Sequence, residues 1–423
     1  MTDQAPALRR HLLATEGGDA AAEAASLLSA PGFARLVAAL EADHDHFVEQ
    51  LVALTEIPSP PFGEARRAAA YAELLRGQGL EQVETDDEGN VTALRPGTDP
   101  EAGVIVLCSH LDTVFPAGTD VTVRREGTVL RAPGVGDDTR GLAVLLAMAR
   151  ALDAAGLRTR AGLLLLASVG EEGAGDLRGV KAFFGRSRWR EQVAGFIAMD
   201  GINPARLVHA AVGSKRYRVT FRGPGGHSFG AFGLVNPAFA LARAADGLSR
   251  IRVPASPRTT YSIGRLGGGT SINAIPEEAW MEVDLRSASA GGLAALEARF
   301  LDLLPQAAAD ENAARDTARG EIKVEVTRIG DRPAGVTPRD SRLARIAAEV
   351  IRAQGYDLVH EASSTDSNIP ISLGIPAVTL GTGGSGGREH SLEEWIDVEK
   401  GPSVKGVATA LATILSVAGI TSN

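Results

Sequence analysis

The sequence is short of several things. It holds one cysteine, Cys108, which excludes an internal disulfide and is compatible with a reducing compartment. Aromatic residues make up only 4 % of it, which argues against an aromatic-rich recognition surface. It has no basic run, and 43 Lys and Arg against 52 Asp and Glu leave a net charge of −9. A nucleic-acid partner or an anionic membrane surface is therefore disfavoured. The longest apolar run, Gly162 to Val169, is far below the ~20 residues of a membrane span. The start, MTDQAPALRRHLLATEGGDA, carries acids and lacks the apolar centre of a secretory signal. The expectation is a cytoplasmic chain with no membrane and no nucleic acid among its partners.

What is present is length and small apolar residues. The 423 residues exceed the ~250–300 at which a single core stops growing, so two domains are expected. A hydrophobic share of 44 % is ample for a core, and the wealth of alanine, leucine and glycine suits close helix–sheet packing.

Residues 1–31 are alanine-rich and acidic, carry no motif, and read as a helical or partly disordered extension. From Ala34 to Leu54, Leu36, Leu40, Phe47, Leu51 and Leu54 recur at helical spacing. His44 and His46 lie in that helix among acids, where a solvated face is the expectation. VIVLC (Val104–Cys108), LLLLASV (Leu163–Val169) and GFIAMD (Gly195–Asp200) read as buried strands, with a helix over Gly141–Leu152. Continuous apolar strands alternating with helices predict an α/β domain built on a mostly parallel sheet covered on both faces. Near Ser214 the style changes. A strand with Tyr217, Val219 and Phe221 alternating, a helix (Pro237–Leu248), two strands (Thr259–Leu266, Ala279–Arg286), a helix (Leu293–Leu304) and a strand (Ile322–Ile329) spell β-α-β-β-α-β. That is a ferredoxin-like α+β unit. A helix (Arg342–Gln354), a strand (Ala377–Leu380) and a helix from Pro402 then resume the α/β style. The predicted domains are 32–213 with 331–423, interrupted by 214–330.

Chemistry-bearing residues collect just beyond the buried strands. Ser109-His110-Leu111-Asp112 follows the first, and Asp137-Asp138 precedes a helix. Gly170-Glu171-Glu172-Gly173 follows the next strand, Asp200 ends another, and His390 lies past the Gly381–Gly387 loop. Ligands gather at the carboxyl ends of parallel strands. Two imidazoles and several carboxylates meeting there require a cation to neutralise them. Histidine and carboxylate without thiolate suit Zn²⁺, with Mn²⁺ or Co²⁺ as substitutes. His110 and Asp112 share a strand face, which suits a metal-binding histidine held by an acid. In the Glu171-Glu172 pair, one carboxylate can bind metal while its neighbour acts as general base. Taken singly, each piece has a plainer reading; an Asp-Asp before a helix, for instance, is usually an N-cap.

Taken jointly, these stretches resemble the M20 family of co-catalytic zinc peptidases and acyl-amino-acid hydrolases. The resemblance is carried by Ser109 to Val114, Gly136 to Gly141, Gly170 to Gly173, Asp200, and Glu389-His390-Ser391 with Glu394. In the inserted unit it is carried by Gly226-His227-Ser228, Ser271 to Pro276 and Asp284-Leu285-Arg286. It covers about residues 40–420 in order and departs where Thr139-Arg140 replaces the lysine that many members have. The resemblance implies that Asp137 bridges two Zn²⁺ ions, that His110 and Asp200 complete one site, and that Glu172 and His390 complete the other. It further implies that Asp112 orients His110 and that Glu171 is the general base. His227 would polarise the oxyanion, often across a dimer interface, so a homodimer through the inserted unit is implied. Asn273 is a candidate substrate hydrogen-bonder. Arg286 is either a clamp for a substrate carboxylate or a salt-bridge partner of Asp284.

Other features are set aside. GTGGSGG (Gly381–Gly387) lacks the Gly-Lys-Ser/Thr of a phosphate loop and reads as an active-site wall. Ser364-Thr365-Asp366 has no nucleophile elbow around it and reads as cleft lining. Cys108, His11, His209 and His360 read as structural. The expected function is hydrolysis of an amide bond in a di- or tripeptide, as an aminopeptidase or carboxypeptidase. The alternative is deacylation of an N-acyl amino acid or a related amide. A metal-stabilised binding protein without activity would lack the base or the bridging ligand, and both Glu171 and Asp137 are present.

Overall fold

The computed structural model describes residues 18–421. The chain divides into two compact units, one made of Met1–Ala211 with Val336–Asn423 and one of Val212–Gly335. His11 lies outside the described residues.

In the larger unit α1 (Ala20–Leu28) starts from Asp19, whose carboxylate accepts the amides of Ala21 and Ala22, both at 3.1 Å. Ala24 and Leu27 of α1 are buried in the main core. Residues 20–28, read above as part of a motif-free extension, thus belong to the body of the unit. Next, α2 (Pro31–Thr55) begins with proline in its first turn and buries Phe33, Leu36, Leu40, His44, Phe47, Leu51 and Leu54. His44 is a correction. It falls on the apolar stripe between Leu40 and Phe47, and is buried against the Phe47 ring at 6.0 Å. His46 does face outward, with Nδ1 3.3 Å from Asp43 Oδ1. Helix α3 (Ala65–Gly77) follows.

The central strands are β1 (Glu81–Thr85), β2 (Val91–Arg95), β3 (Val104–His110), β4 (Gly162–Ser168) and β5 (Val193–Met199). Helix α4 (Thr139–Ala154) connects β3 to β4, and α5 (Arg178–Arg186) connects β4 to β5. Strand β3 is parallel to both β4 and β5, and β5 is parallel to the Ala377–Leu380 strand. The margins turn antiparallel, at β1 with β2, at β2 with β4, and where Ala377–Leu380 meets Arg206–Ala211. Every residue of β3, β4 and β5 is buried. Alternation sorts their side chains onto two faces. Ile105, Leu107, Leu163 and Leu165 join the core with α2 and α4, while Val106, Cys108, Leu164 and Leu166 join the core with Val180 and Phe183 of α5. This two-sided burial is why the strands read as unbroken apolar runs. The last helix, Lys400–Ala418, is long and apolar enough to cross a membrane by composition. Yet 83 % of its window is buried inside the unit, as befits a core helix.

The main sheet of the smaller unit has four strands, Gly213–Arg222, Thr259–Gly268, Glu278–Ser287 and Lys323–Arg332. In sequence order these lie 2-3-1-4 across the sheet, every pair antiparallel, which is the expected ferredoxin-like arrangement. Its helices are Pro237–Ser249 and Ala290–Ala314, and the second runs past Pro305 where the sequence reading stopped at Leu304. Tyr217, Val219, Phe221, Met281, Val283, Leu285 and Phe300 make its own core.

Candidate active site

Strand β3 delivers His110 to the sheet's carboxyl rim. Its Nδ1 lies 2.9 Å from the Asp112 carbonyl oxygen, which only accepts, so Nδ1 carries a proton and Nε2 is left to face the site. The Asp112 carboxylate is engaged differently from the expected pairing. Its oxygens accept the amides of Glu171 at 3.0 Å and Glu172 at 2.8 Å, and lie only within ion-pair range of His110, at 3.7 Å. One fully buried residue thus fixes the imidazole through its carbonyl and the Glu171-Glu172 turn through its carboxylate.

Asp137 stands between two histidines. Oδ1 is 3.0 Å from His110 Nε2 and Oδ2 is 2.9 Å from His390 Nε2, while His390 Nε2 is also 2.9 Å from Glu172 Oε1. Ligand atoms of His110, Asp137 and Asp200 lie within 4.8 Å of one another, as do those of Asp137, Glu172 and His390, and those of His110, Glu171 and Glu172. The five residues named as metal ligands from sequence therefore come together, in two groups sharing Asp137. His227, Asn273 and Arg286 belong to the other unit.

Asp138 occupies the N-cap position of α4, but its side chain caps nothing. Instead it accepts the Ser109 hydroxyl and, at 3.0 Å, the His110 amide, bracing the end of β3. The helix approaches so closely here that a Cβ on Gly141 would lie 2.3 Å from Asp138 Oδ1 and 2.5 Å from the Met199 carbonyl.

Sequence reasoning gave Glu394 no role. Its carboxylate is completely buried and accepts three amides, Gly134 at 2.8 Å, Gly136 at 2.7 Å and Asp137 at 2.9 Å. It sits in the hairpin connection between Ser385–Gly387 and Trp395–Asp397, the same connection that carries His390. The glycine-rich loop is thus partly strand. Its local sequence, Ser-Leu-Glu-Glu-Trp, gives no sign of burial; only its place in the matched stretch drew notice.

The charged groups of the site shift one another strongly. His390 is pushed up to about 11 by hydrogen bonds to Asp137 and Glu172. Burial would lower His110, but its bond to Asp137 and the charges of Asp138, Asp137 and Asp112 raise it well above the usual value. Burial opposes ionisation of Asp137 too, yet the two imidazoles hold it low. Asp200 is raised by burial and by the Asp137 charge. Burial lifts Glu394 to about 7 against the pull of its three amides. A cluster this acidic, built of nitrogen and oxygen donors alone, fits divalent cations.

In the smaller unit His227 pairs with Ala274 in a two-residue ladder, and the Asn273 carbonyl accepts the Ser228 amide at 2.9 Å. His227 Nδ1 accepts from the amides of Phe229 (3.3 Å) and Gly230 (3.2 Å), which places the ring proton on Nε2. The Asn273 side chain accepts from the Ser271 hydroxyl. Arg286 Nε donates to Asp284 Oδ2 at 2.6 Å, so of its two readings the salt bridge is the one formed.

The features set aside resolve simply. Cys108 is buried with Sγ 3.4 Å from Asp366 Oδ2, and burial pushes its thiol up. Thr365 and Asp366 do not line a cleft. They are buried, Thr365 bonded to Thr379 at 2.8 Å and Asp366 to Ser168. His209 donates from Nδ1 to the Thr337 carbonyl at 3.1 Å and stacks edge-on against His360.

The sequence model of peptidase family M20/M25/M40 matches residues 106–415. A probable carboxypeptidase of Aspergillus oryzae is 31 % identical in a 230-residue alignment that covers 49 % of this chain and 51 % of the relative. The chain thus spans about half the length of that relative. Among solved structures, aminopeptidase PepT from Bacillus cereus superposes with a TM-score of 0.71 at 23 % identity, over 89 % of this chain and 99 % of that one. The YxeP protein of Bacillus subtilis, described as a dinuclear metal-binding peptidase, gives a TM-score of 0.64 at 18 % identity, over 89 % and 99 %.

Proposed function

We propose that this chain, which belongs to peptidase family M20/M25/M40, hydrolyses an amide bond in a di- or tripeptide using two Zn²⁺ ions. The observation that carries the reading is the pair of ligand groups that share Asp137. His110 and Asp200 complete one group, and Glu172 and His390 the other. Cations bound there supply Lewis acidity toward the attacking water and the scissile carbonyl. Glu171, the carboxylate next to a ligand and outside both Asp137 groups, takes the proton from that water on its carboxylate oxygen and passes it to the leaving amine. Asp112 holds this geometry by bonding the Glu171 and Glu172 amides and the His110 ring. His227, with its proton on Nε2, donates to the developing oxyanion. Asn273, bonded to the His227 loop, contacts substrate, and Arg286 receives a substrate carboxylate when it exchanges its bond to Asp284.

The test is release of free amino acid from di- and tripeptides and from N-acyl amino acids, with added Zn²⁺, Mn²⁺ or Co²⁺. Absence of turnover with every metal would reject the reading. Faster cleavage of acyl amino acids than of peptides would move the assignment to the deacylases. A cytoplasmic enzyme is part of the same reading, in keeping with the buried, unpaired Cys108.

A homodimer through the inserted unit is supported by Leu266 on its edge strand and by Phe229, Phe232 and Ile272, all large, apolar and exposed. Sedimentation as a monomer at micromolar concentration would exclude it.

Two further results are expected. Binding a cation at His390 must displace the proton that its hydrogen bonds to Asp137 and Glu172 favour, bonds that push the group up to about 11. Apparent affinity should therefore rise about tenfold per pH unit across the neutral range, with one proton released there per ion. Calorimetry in buffers of different ionisation enthalpy reads that proton, and a pH-independent affinity would contradict the assignment. Glu394→Gln removes the charge that gathers three amides and puts a donor where they point. Metal affinity should fall about 10–100-fold while the protein remains folded, as metal titration and circular dichroism would show.

A further inference from the structure

We infer that Phe62 is a specificity-determining residue whose ring meets an apolar side chain of the substrate and disfavours a cationic one. The inference rests on the hydrolase reading above.

Phe62 is 67 % exposed although its unit has large cores to receive it. Its backbone lies in the left-handed region, at φ 66°, which a bulky residue rarely adopts without cost. The segment is nonetheless firmly fastened. The Phe62 amide donates to Glu64 Oε1 at 3.0 Å, and Glu64 is buried and bonded to Arg178 Nη2 at 2.6 Å. The Arg178 guanidinium lies 5.0 Å from the Phe62 ring centroid. An exposed aromatic ring is thus held in one place by a buried carboxylate and a guanidinium.

That place borders the catalytic turns. The Ser59 carbonyl accepts the Thr113 amide at 2.9 Å, next to Asp112. Fully buried Arg67 donates to the carbonyls of both Ile57 and Leu111, at 2.7 Å and 2.9 Å, tying this loop to the residue between His110 and Asp112. On the other side Arg178 packs against Gly170, where a Cβ would come within 2.6 Å of its Cγ, and Gly170 immediately precedes Glu171. The loop therefore shares contacts with the turn that carries His110 and the turn that carries the base.

The chemistry of the ring sets the preference. One face is already engaged by a guanidinium, and a second cation brought to the ring would meet that charge. An aliphatic or aromatic side chain loses water against the exposed surface with no such opposition.

The experiment compares kcat/KM for dipeptides whose variable residue is leucine, phenylalanine, lysine or glycine. The enzymes are wild type, Phe62→Asn, which tolerates the left-handed backbone, and Phe62→Trp. In Phe62→Asn the leucine-to-glycine and phenylalanine-to-glycine ratios should fall about tenfold, the lysine substrate should lose least, and Phe62→Trp should restore the ratios. Unchanged ratios in an active Phe62→Asn enzyme would overturn the role of Phe62. A wild type that cleaves nothing would overturn the hydrolase reading itself, and the role of Phe62 with it.

Discussion

Glu171→Gln is expected to keep both metal ions and to lose roughly 10²–10⁴ in kcat. The substitution is nearly isosteric, and the Glu171 contact that fixes the turn, its amide to Asp112, belongs to the backbone and survives. What disappears is an atom able to accept the proton of the attacking water. KM should change little, because a group that acts only at the transition state contributes little to ground-state binding. Metal content by atomic emission and kcat from the peptide assay separate the two outcomes. A fully active Glu171→Gln enzyme would end the assignment of this residue as base, and loss of metal would mean that it is a ligand.

Asp137→Asn should be more disruptive, since under the proposed assignment it strikes both candidate ligand groups at once. The carboxylate faces His110 with one oxygen and His390 with the other, and an amide replaces one of those oxygens by a donor. Metal content should fall from two ions per chain to one or none, and activity should drop by more than the about 10–100-fold that an outer partner costs. Thermal unfolding offers a readout free of activity. Zinc at ~100 times its Kd stabilises a folded protein by about 2.7 kcal/mol, so wild type should melt higher with zinc and Asp137→Asn should not. Two tightly held ions in Asp137→Asn would show that the groups do not share this residue.

Much of this was legible in the sequence, and the reasons differ by element. Strands buried on both faces announce themselves as runs such as VIVLC, because each face must be apolar. The polar residues that follow them then stand out. Strand β1, by contrast, is exposed at four of its five positions and carries no period to detect. The ferredoxin-like unit was readable because its inner strands keep one face wet, as the strict alternation along Glu278–Ser287 shows. Roles that depend on which atom of a residue is used were not readable. His-Leu-Asp predicts a paired imidazole and acid, but that the Asp112 carbonyl takes the ring and its carboxylate takes two amides is a matter of three dimensions. His44 misled because acids flank it in sequence, while the helix turns it toward Leu40 and Phe47. Glu394 received no role, since a glutamate beside another glutamate gives no local sign that its carboxylate is buried on three amides.

The placement of Glu394 has a consequence for how the centre can come apart. Its carboxylate clasps residues 134–137 from a hairpin whose own tip holds His390. Two stretches of chain that lie more than 250 positions apart therefore behave as a single mechanical part. Loosening either frees the other. A displacement of the hairpin would therefore carry His390 and the Asp137 backbone out of register together.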